Sequence, residues 1–294
     1  MQISFRQLQI LQALAEQGSL TGAAEACHIT QPSVSMQLKS LADQLGMPLY
    51  EIIGKQAYLT QAGEYALATA QVMQQELERL RQQIAGLRGL TAGNLKIALV
   101  STAQYFLPRM LGKFYQNHPD IEISFQVLNR DGVVQRLRQN ADDLYIMSTP
   151  PEGLDLQVLK FLDNPLYLIA AQHHPLAQLK RLQKQHLQNH AFILREPGSG
   201  TRMACTRWFA EHGVEARVRL ELGSNEAIIA AVAAGLGLSI VSRHALPKQP
   251  QREGIAILNY HDLPIPSQWY LVYPQGKKLS PIAEVFCQHL LSLK

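Results

Sequence analysis

Residues 19–45, SLTGAAEACHITQPSVSMQLKSLADQL, decide the N-terminal fold. They read as two short helices joined by a tight turn. The first carries Ala23, Ala24 and Ala26, small enough for another helix to approach closely, and His28 and Ile29 break its pattern. Thr30 is placed to cap the second helix, its hydroxyl accepting from the Ser33 backbone N–H. Pro32 suits a first turn, where a missing N–H costs nothing. Val34, Leu38, Leu41 and Leu45 then line up as one apolar stripe. The opposite face carries Ser33, Met36, Lys39, Ser40 and Asp43, and Gly46 is placed to stop the helix. Two such helices form a helix-turn-helix pattern, whose second helix enters the major groove of DNA.

Outward from this core, Phe5, Leu8, Leu11 and Leu14 predict an amphipathic scaffold helix over residues 4–17, ended by Gly18. Residues 51–60 read as a short hairpin. The run AEQGSLTGAAEACHITQPSVSMQLKSLADQLGMPLYE, followed by LTQAGE at 59–64, resembles the N-terminal domain of LysR-type transcriptional regulators. The resemblance implies a winged helix-turn-helix over residues 1–60. Thr30, Gln31, Ser33, Ser35, Met36, Gln37 and Lys39 would then face DNA. The hairpin would be the wing, with Lys55, its one cation, on a phosphate. Two departures matter: many members of the family have arginine where this chain has Met36 and Ile52. An outward Met36 is either a contact for a thymine methyl or an exposed methionine without a partner.

Charge carries little of the DNA argument. The 294 residues have a net charge of +4, but residues 1–60 sum to −1. The excess lies beyond residue 90, where it suits an anionic small ligand or a solvated surface. So slight an N-terminal charge predicts few phosphate contacts per subunit and several subunits on one site. Cys27, Cys205 and Cys287 form no Cys-x-x-Cys pair, which suits a reducing cytoplasm. Nothing resembles a signal peptide. The longest apolar run, 227–241, is interrupted by Gly235 and Gly237 and is too short for a bilayer. A soluble, cytoplasmic protein without membrane contact is expected. Neither His186 with His190 nor His173 with His174 has a third ligand at a telling spacing, so no metal is expected.

Residues 61–90 predict one long helix. Ala66, Ala70, Met73, Leu77, Leu80, Ile84 and Leu87 step alternately by four and three, a heptad seam that argues for a coiled coil. Such a helix lacks a partner in its own domain. Met73, Leu77, Leu80, Ile84 and Leu87 therefore predict dimerisation. The resemblance implies the same, with a homodimer or homotetramer on a two-fold-symmetric site in double-stranded DNA, recruiting RNA polymerase. An internal packing helix is the alternative. GLTAGN at 89–94 reads as a hinge.

From Leu95 strands and helices alternate, as in α/β sheets covered on both faces. The resemblance implies a 91–294 effector-binding domain of two Rossmann-like subdomains, as in periplasmic binding proteins. Subdomain I would hold 95–165 and 267–294, and subdomain II 166–266, with a cleft between them. Strand–loop–helix corners at Ser101-Thr102, Ser148-Thr149, REPGSGTR (195–202) and Ser224-Asn225 sit where α/β proteins bind ligands. Helix-start N–H groups there favour anions. Helix capping alone is the plainer reading of any one corner. The candidate effector residues are Ser101, Thr102, Thr149, Ser199, Gly200, Thr201, Arg202 and Asn225. The 197–202 loop lacks the Gly-Lys-Ser/Thr of a P-loop, and PGSG is not a nucleophile elbow. No catalytic residue is assigned.

The reading that follows is a ligand-responsive DNA-binding regulator, not an enzyme, with an activator's role. Within the family, PSVSMQLKSL, IGK at 53–55, REPGSGTR and GSNEAIIAAVAAGLGLSIVSRHAL resemble regulators of RuBisCO operons. That implies control of carbon-fixation genes by a small anionic effector, such as a sugar phosphate or NADPH, with no resident cofactor. The alternatives are a regulator of sulfur or aromatic metabolism, a binding protein with only an oligomerisation arm, or an α/β enzyme using the PGSGTR loop.

Overall fold

Ser4 starts the first helix. Its hydroxyl accepts from the Gln7 N–H while the Gln7 side chain accepts from the Ser4 N–H, a reciprocal capping box. The computed structural model describes residues 3–87, 93–188 and 190–293. They fall into two compact units, Met1–Ile84 with Gln139–Ala141, and Ala85–Arg138 with Asp142–Lys294.

The first unit holds α1 (Phe5–Gln17), α2 (Leu20–Ala26) and α3 (Gln31–Leu45), then a hairpin of β1 (Tyr50–Ile53) and β2 (Gln56–Leu59), then α4 (Gln61–Leu87). Gly18 and Gly46 close α1 and α3 in the left-handed conformation that glycine adopts freely. Leu8, Leu11 and Leu14 of α1 pack with Ala23, Ala24, Val34, Leu38, Leu41 and Leu49 in one buried cluster. One expectation is corrected. Thr30 precedes α3 in extended backbone but accepts no backbone N–H of the helix; its Oγ1 pairs at 2.8 Å with Ser33 Oγ. Two hydroxyls three residues apart satisfy each other, and the first turn of α3 has no side-chain cap.

Thr60 and Gly63 explain the LTQAGE signature. Thr60 Oγ1 donates to the Pro48 carbonyl at 2.7 Å and accepts from the Gly63 N–H at 3.2 Å, while the Thr60 N–H bonds Leu49 O. A Cβ at Gly63 would run into that Leu49 oxygen. The start of α4 thus pins the chain that enters β1.

The second unit carries a five-stranded sheet in the order β4-β3-β5-β12-β6, formed by β3 (Gly93–Val100), β4 (Ile121–Leu128), β5 (Leu144–Met147), β6 (Leu156–Asp163) and β12 (Gln268–Pro274). Strands β3, β4 and β5 run parallel, and β12 is antiparallel to its neighbours. The chain leaves this sheet after β6 and returns with β12. Between them lie β7 (Leu166–Ala171), β8 (Ala191–Arg195), β9 (Arg217–Leu222), β10 (Ser239–Ser242) and β11 (Ile255–Ile257). These form an antiparallel β10-β7-β11 sheet and a parallel β8-β9 pair. Helices α5 (Leu107–Asn117), α6 (Arg130–Arg138) and α10 (Pro281–Ser292) belong with the first sheet. The short α7 (Lys184–Leu187), α8 (Gly200–His212) and α9 (Asn225–Ala233) belong with the second group. The crossover is stitched by Asn164, 2% exposed: its N–H donates to Ser267 O at 2.8 Å and its Oδ1 accepts from Ser242 Oγ at 2.6 Å.

Most of the hinge expected at 89–94 falls on residues 88–92, outside the described residues. Helix α6 begins at Arg130, where Asn129 Oδ1 accepts from the Gly132 N–H at 2.9 Å.

Candidate DNA-contacting face and effector cleft

The buried stripe of α3 fixes which residues look outward. Gln31, Met36 and Lys39 are exposed, and Ser33, Ser35 and Gln37 are half-buried. Gln31 Nε2 donates to Ser35 Oγ at 3.2 Å, so these two polar groups lie together on the first turns. Met36, 63% exposed, stands in the middle of this polar face. The uncapped first turn leaves α3 N–H groups open to an anion such as a phosphate. Gly54, at φ +66°, and Lys55 make the two-residue turn between paired Ile53 and Gln56. Lys55 is thereby held at the hairpin tip, with Ile52 and Ile53 exposed beside it.

On α4, Met73, Leu77, Leu80 and Ile84 are each 44–50% exposed. Four large apolar side chains at heptad spacing without cover inside their own unit make a stripe suited to another helix. The Leu87 side chain lies outside the described residues.

In the second unit, the carboxyl ends of β3, β4, β5 and β8 converge on one cleft of about 290 Å³, open mouth included. It is lined by Ser101 and Thr102 after β3, Asn129 and Arg130 after β4, Ser148 and Thr149 after β5, and Arg195, Ser199, Gly200 and Thr201 around the start of α8. Trp269 of β12 closes one side. Ser199 caps α8, accepting from the Arg202 N–H. A Cβ at Gly200 would lie 3.3 Å from both the Ser148 and Thr149 hydroxyl oxygens, so this bare backbone lets the loop approach β5.

The sequence candidates do not all play one part. Ser101, Thr102, Thr149, Ser199, Gly200 and Thr201 line the cleft. Asn225 stands behind it, 2% exposed: its Nδ2 donates to Thr102 Oγ1 at 3.1 Å and its Oδ1 accepts from Arg195 at 3.4 Å. Arg202 is corrected. Its Nη1 donates to Arg195 O at 2.9 Å and pairs with Glu221 at 2.7 Å, so it braces the end of β8 and does not line the cleft. The cleft cations are instead Arg130 and Arg195. Arg195 begins the REPGSGTR segment and directly ends a strand, and Arg130 follows the Ile121–Leu128 strand. The rule that ligands sit beyond strand ends points at both. Nothing in the sequence marks Trp269, which arrives on an antiparallel strand from the far end of the chain.

Electrostatics around Arg195 are tightly composed. It is 3% exposed, yet Nε and Nη2 meet both Glu196 oxygens at 2.8 and 2.9 Å, and Nη2 also donates to Ser101 Oγ at 3.1 Å. The Ser224 hydroxyl, donating at 2.6 Å, holds the Glu226 carboxyl below its usual range, with Arg195 adding to the effect. Burial, reinforced by Glu226, pushes the Tyr105 phenol up to about 12. Burial likewise pushes the Cys205 thiol up to about 12. The Trp269 ring is 1% exposed, and its indole N–H has no acceptor among the described residues. Among the described residues no group of three or more His, Cys, Asp or Glu side chains is arranged to hold a metal. No described helix is long and apolar enough to cross a membrane.

Comparison with known proteins follows the same division. The family model "Bacterial regulatory helix-turn-helix protein, lysR family" matches residues 5–64, and "LysR substrate binding domain" matches residues 88–293. The chain is 42% identical over 289 residues to the HTH-type transcriptional activator CmpR of Synechocystis, covering 98% of this chain and 95% of that protein. It is also 42% identical to the RuBisCO operon transcriptional regulator of Acidithiobacillus ferrooxidans, over 98% of this chain and 94% of that one. The solved regulatory domain of Synechocystis CcmR, in complex with 2-PG, superposes with a TM-score of 0.66 at 46% identity, covering 68% of this chain and 97% of that one.

Proposed function

The chain belongs to the LysR family of DNA-binding transcriptional regulators, and from that premise we propose that it activates carbon-fixation genes in response to a small phosphorylated anion. The observation that carries the reading is the cleft itself, in which two guanidiniums, the hydroxyls of Ser101, Thr102, Ser148 and Thr149, and the start of α8 converge. Phosphate and carboxylate oxygens suit such a set: arginine offers paired donors, and helix-start N–H groups add a favourable dipole. The 46%-identical CcmR domain holds 2-PG, 2-phosphoglycolate, and supports the same chemical class here. A sugar phosphate and NADPH carry phosphate groups of the same chemistry.

In this reading residues 1–60 bind DNA, 61–90 pair two chains, and 91–294 sense the effector, with the crossover at 165 and 266 separating its two halves. Thr30, Gln31, Ser33, Ser35, Met36, Gln37 and Lys39 face the groove, and Lys55 meets a phosphate. Met73, Leu77, Leu80, Ile84 and Leu87 form the dimer seam, and RNA polymerase is the downstream partner. The protein acts in the cytoplasm without a resident cofactor and without catalysis.

Calorimetric titration with 2-PG, alongside gel shifts on DNA upstream of RuBisCO genes, tests it. Saturable 2-PG binding together with sequence-selective DNA binding is expected. Selective DNA binding with no response to any phosphorylated ligand would contradict the effector assignment.

A further inference from the structure

Arg195 has five N–H donors, and protein groups already take four of them: both Glu196 oxygens, Ser101 Oγ and Asn225 Oδ1. Arg130 is similarly engaged, with Nε on Thr149 O at 2.8 Å and Nη1 on Asp131 Oδ1 at 3.2 Å. Each cleft cation is thus neutralised by the carboxylate that follows it in sequence, in Arg130-Asp131 and Arg195-Glu196. An incoming anion meets guanidiniums whose strongest acceptors are already present, so it must exchange with one of them. The exchangeable partners differ in accessibility. Asn225 is 2% exposed, whereas the Glu196 and Asp131 side chains are 25% and 65% exposed and can turn to water. Asp131 also meets the loop before α8: its N–H donates to Gly198 O at 3.2 Å, and its carboxylate would lie 2.7 Å from a Cβ at Gly198.

We propose that Glu196, with Asp131 as its counterpart on Arg130, is a built-in competitor for the effector: it occupies Arg195 donors that a phosphate takes over on binding. The effector displaces Glu196 into solvent and leaves Ser101 and Asn225 in place on Arg195. The ion pair therefore sets the concentration at which the regulator responds, and it disfavours singly charged anions, which recover less than they displace. This rests on the effector reading above and adds its threshold.

The test is titration of the full-length chain with 2-PG and, separately, with inorganic phosphate. Glu196→Gln keeps the shape and one acceptor oxygen while removing the competing charge, and is expected to bind 2-PG about tenfold more tightly than the unaltered protein. Its affinity should also fall more steeply with added chloride, because the uncovered guanidinium attracts any anion. Asp131→Asn, at an exposed side chain that burdens folding little, is expected to tighten binding about twofold to threefold. Unaltered protein that binds 2-PG, with a Glu196→Gln variant that binds no tighter and shows no steeper chloride dependence, would overturn the competitor and leave the effector reading standing. If Glu196→Gln does not fold, an Asp131→Asn variant with unchanged affinity overturns it equally. Unaltered protein that binds neither probe would remove the effector reading and this inference together.

Discussion

Along α3 and the β1–β2 hairpin only Lys39 and Lys55 carry positive charge, whereas the cleft of the second unit gathers two arginines and masks both with carboxylates. The first surface is built from one continuous stretch of chain, and its outward residues follow from the buried stripe Val34–Leu38–Leu41. The second is assembled from segments far apart in the chain, with Ser101 bound to Arg195, 94 residues on, and Thr102 to Asn225, 123 residues on. The difference teaches where each site draws its strength. A DNA surface this poor in cations gains affinity by duplication, since phosphate neutralisation is limited by the number of positive groups. A cleft this well supplied with donors is limited by how many of them are free.

The sharpest way to break that contrast is to remove the second copy. Leu80→Asp puts a charge into the exposed stripe on α4 and is expected to lower DNA affinity at least about a hundredfold, because two tethered sites bind together far better than one. Sedimentation should show monomers, and a monomer with full DNA affinity would refute the seam. Next in size is Gly63→Ala, whose methyl meets the Leu49 carbonyl oxygen. A loss of about 2 kcal/mol is expected in the N-terminal unit, read as a lowered unfolding midpoint with effector binding intact. Smaller still is Thr102→Val, which keeps shape but takes the acceptor from buried Asn225 Nδ2. Effector affinity should fall about tenfold, in line with roughly 1–2 kcal/mol for an orphaned buried donor, with DNA binding unchanged. If Thr102→Val instead abolished DNA binding, the separation between the two surfaces would fail.

How much the sequence revealed follows the same line. Helix spacing and cap glycines are local, so α1 to α4 and the hairpin are legible before any coordinates. The alternation of strand and helix from Leu95 onward is legible too, because each element is short and bounded by turn residues. Thr30 misled because its hydroxyl had two partners within reach, the Ser33 backbone and the Ser33 side chain, and spacing alone does not rank them. Arg202 misled for a related reason. It is the cation inside the Gly-rich corner, but Glu221, on the strand beside β8, draws it outward. Arg195 and Arg130 were visible as residues next to strand ends, yet their importance appears only when β3, β4, β5 and β8 are set side by side. Trp269 belongs to the site by tertiary packing alone.

The central claim is that an anion held by Arg195 changes how this regulator holds DNA. Its most direct test compares unaltered protein with Arg195→Ala in gel shifts on DNA upstream of RuBisCO genes, with and without 2-PG. Both proteins are expected to bind the DNA, 2-PG to change the mobility or affinity of the unaltered complex, and the Arg195→Ala complex to be indifferent to it. An Arg195→Ala protein that responds to 2-PG as the unaltered one does would contradict it.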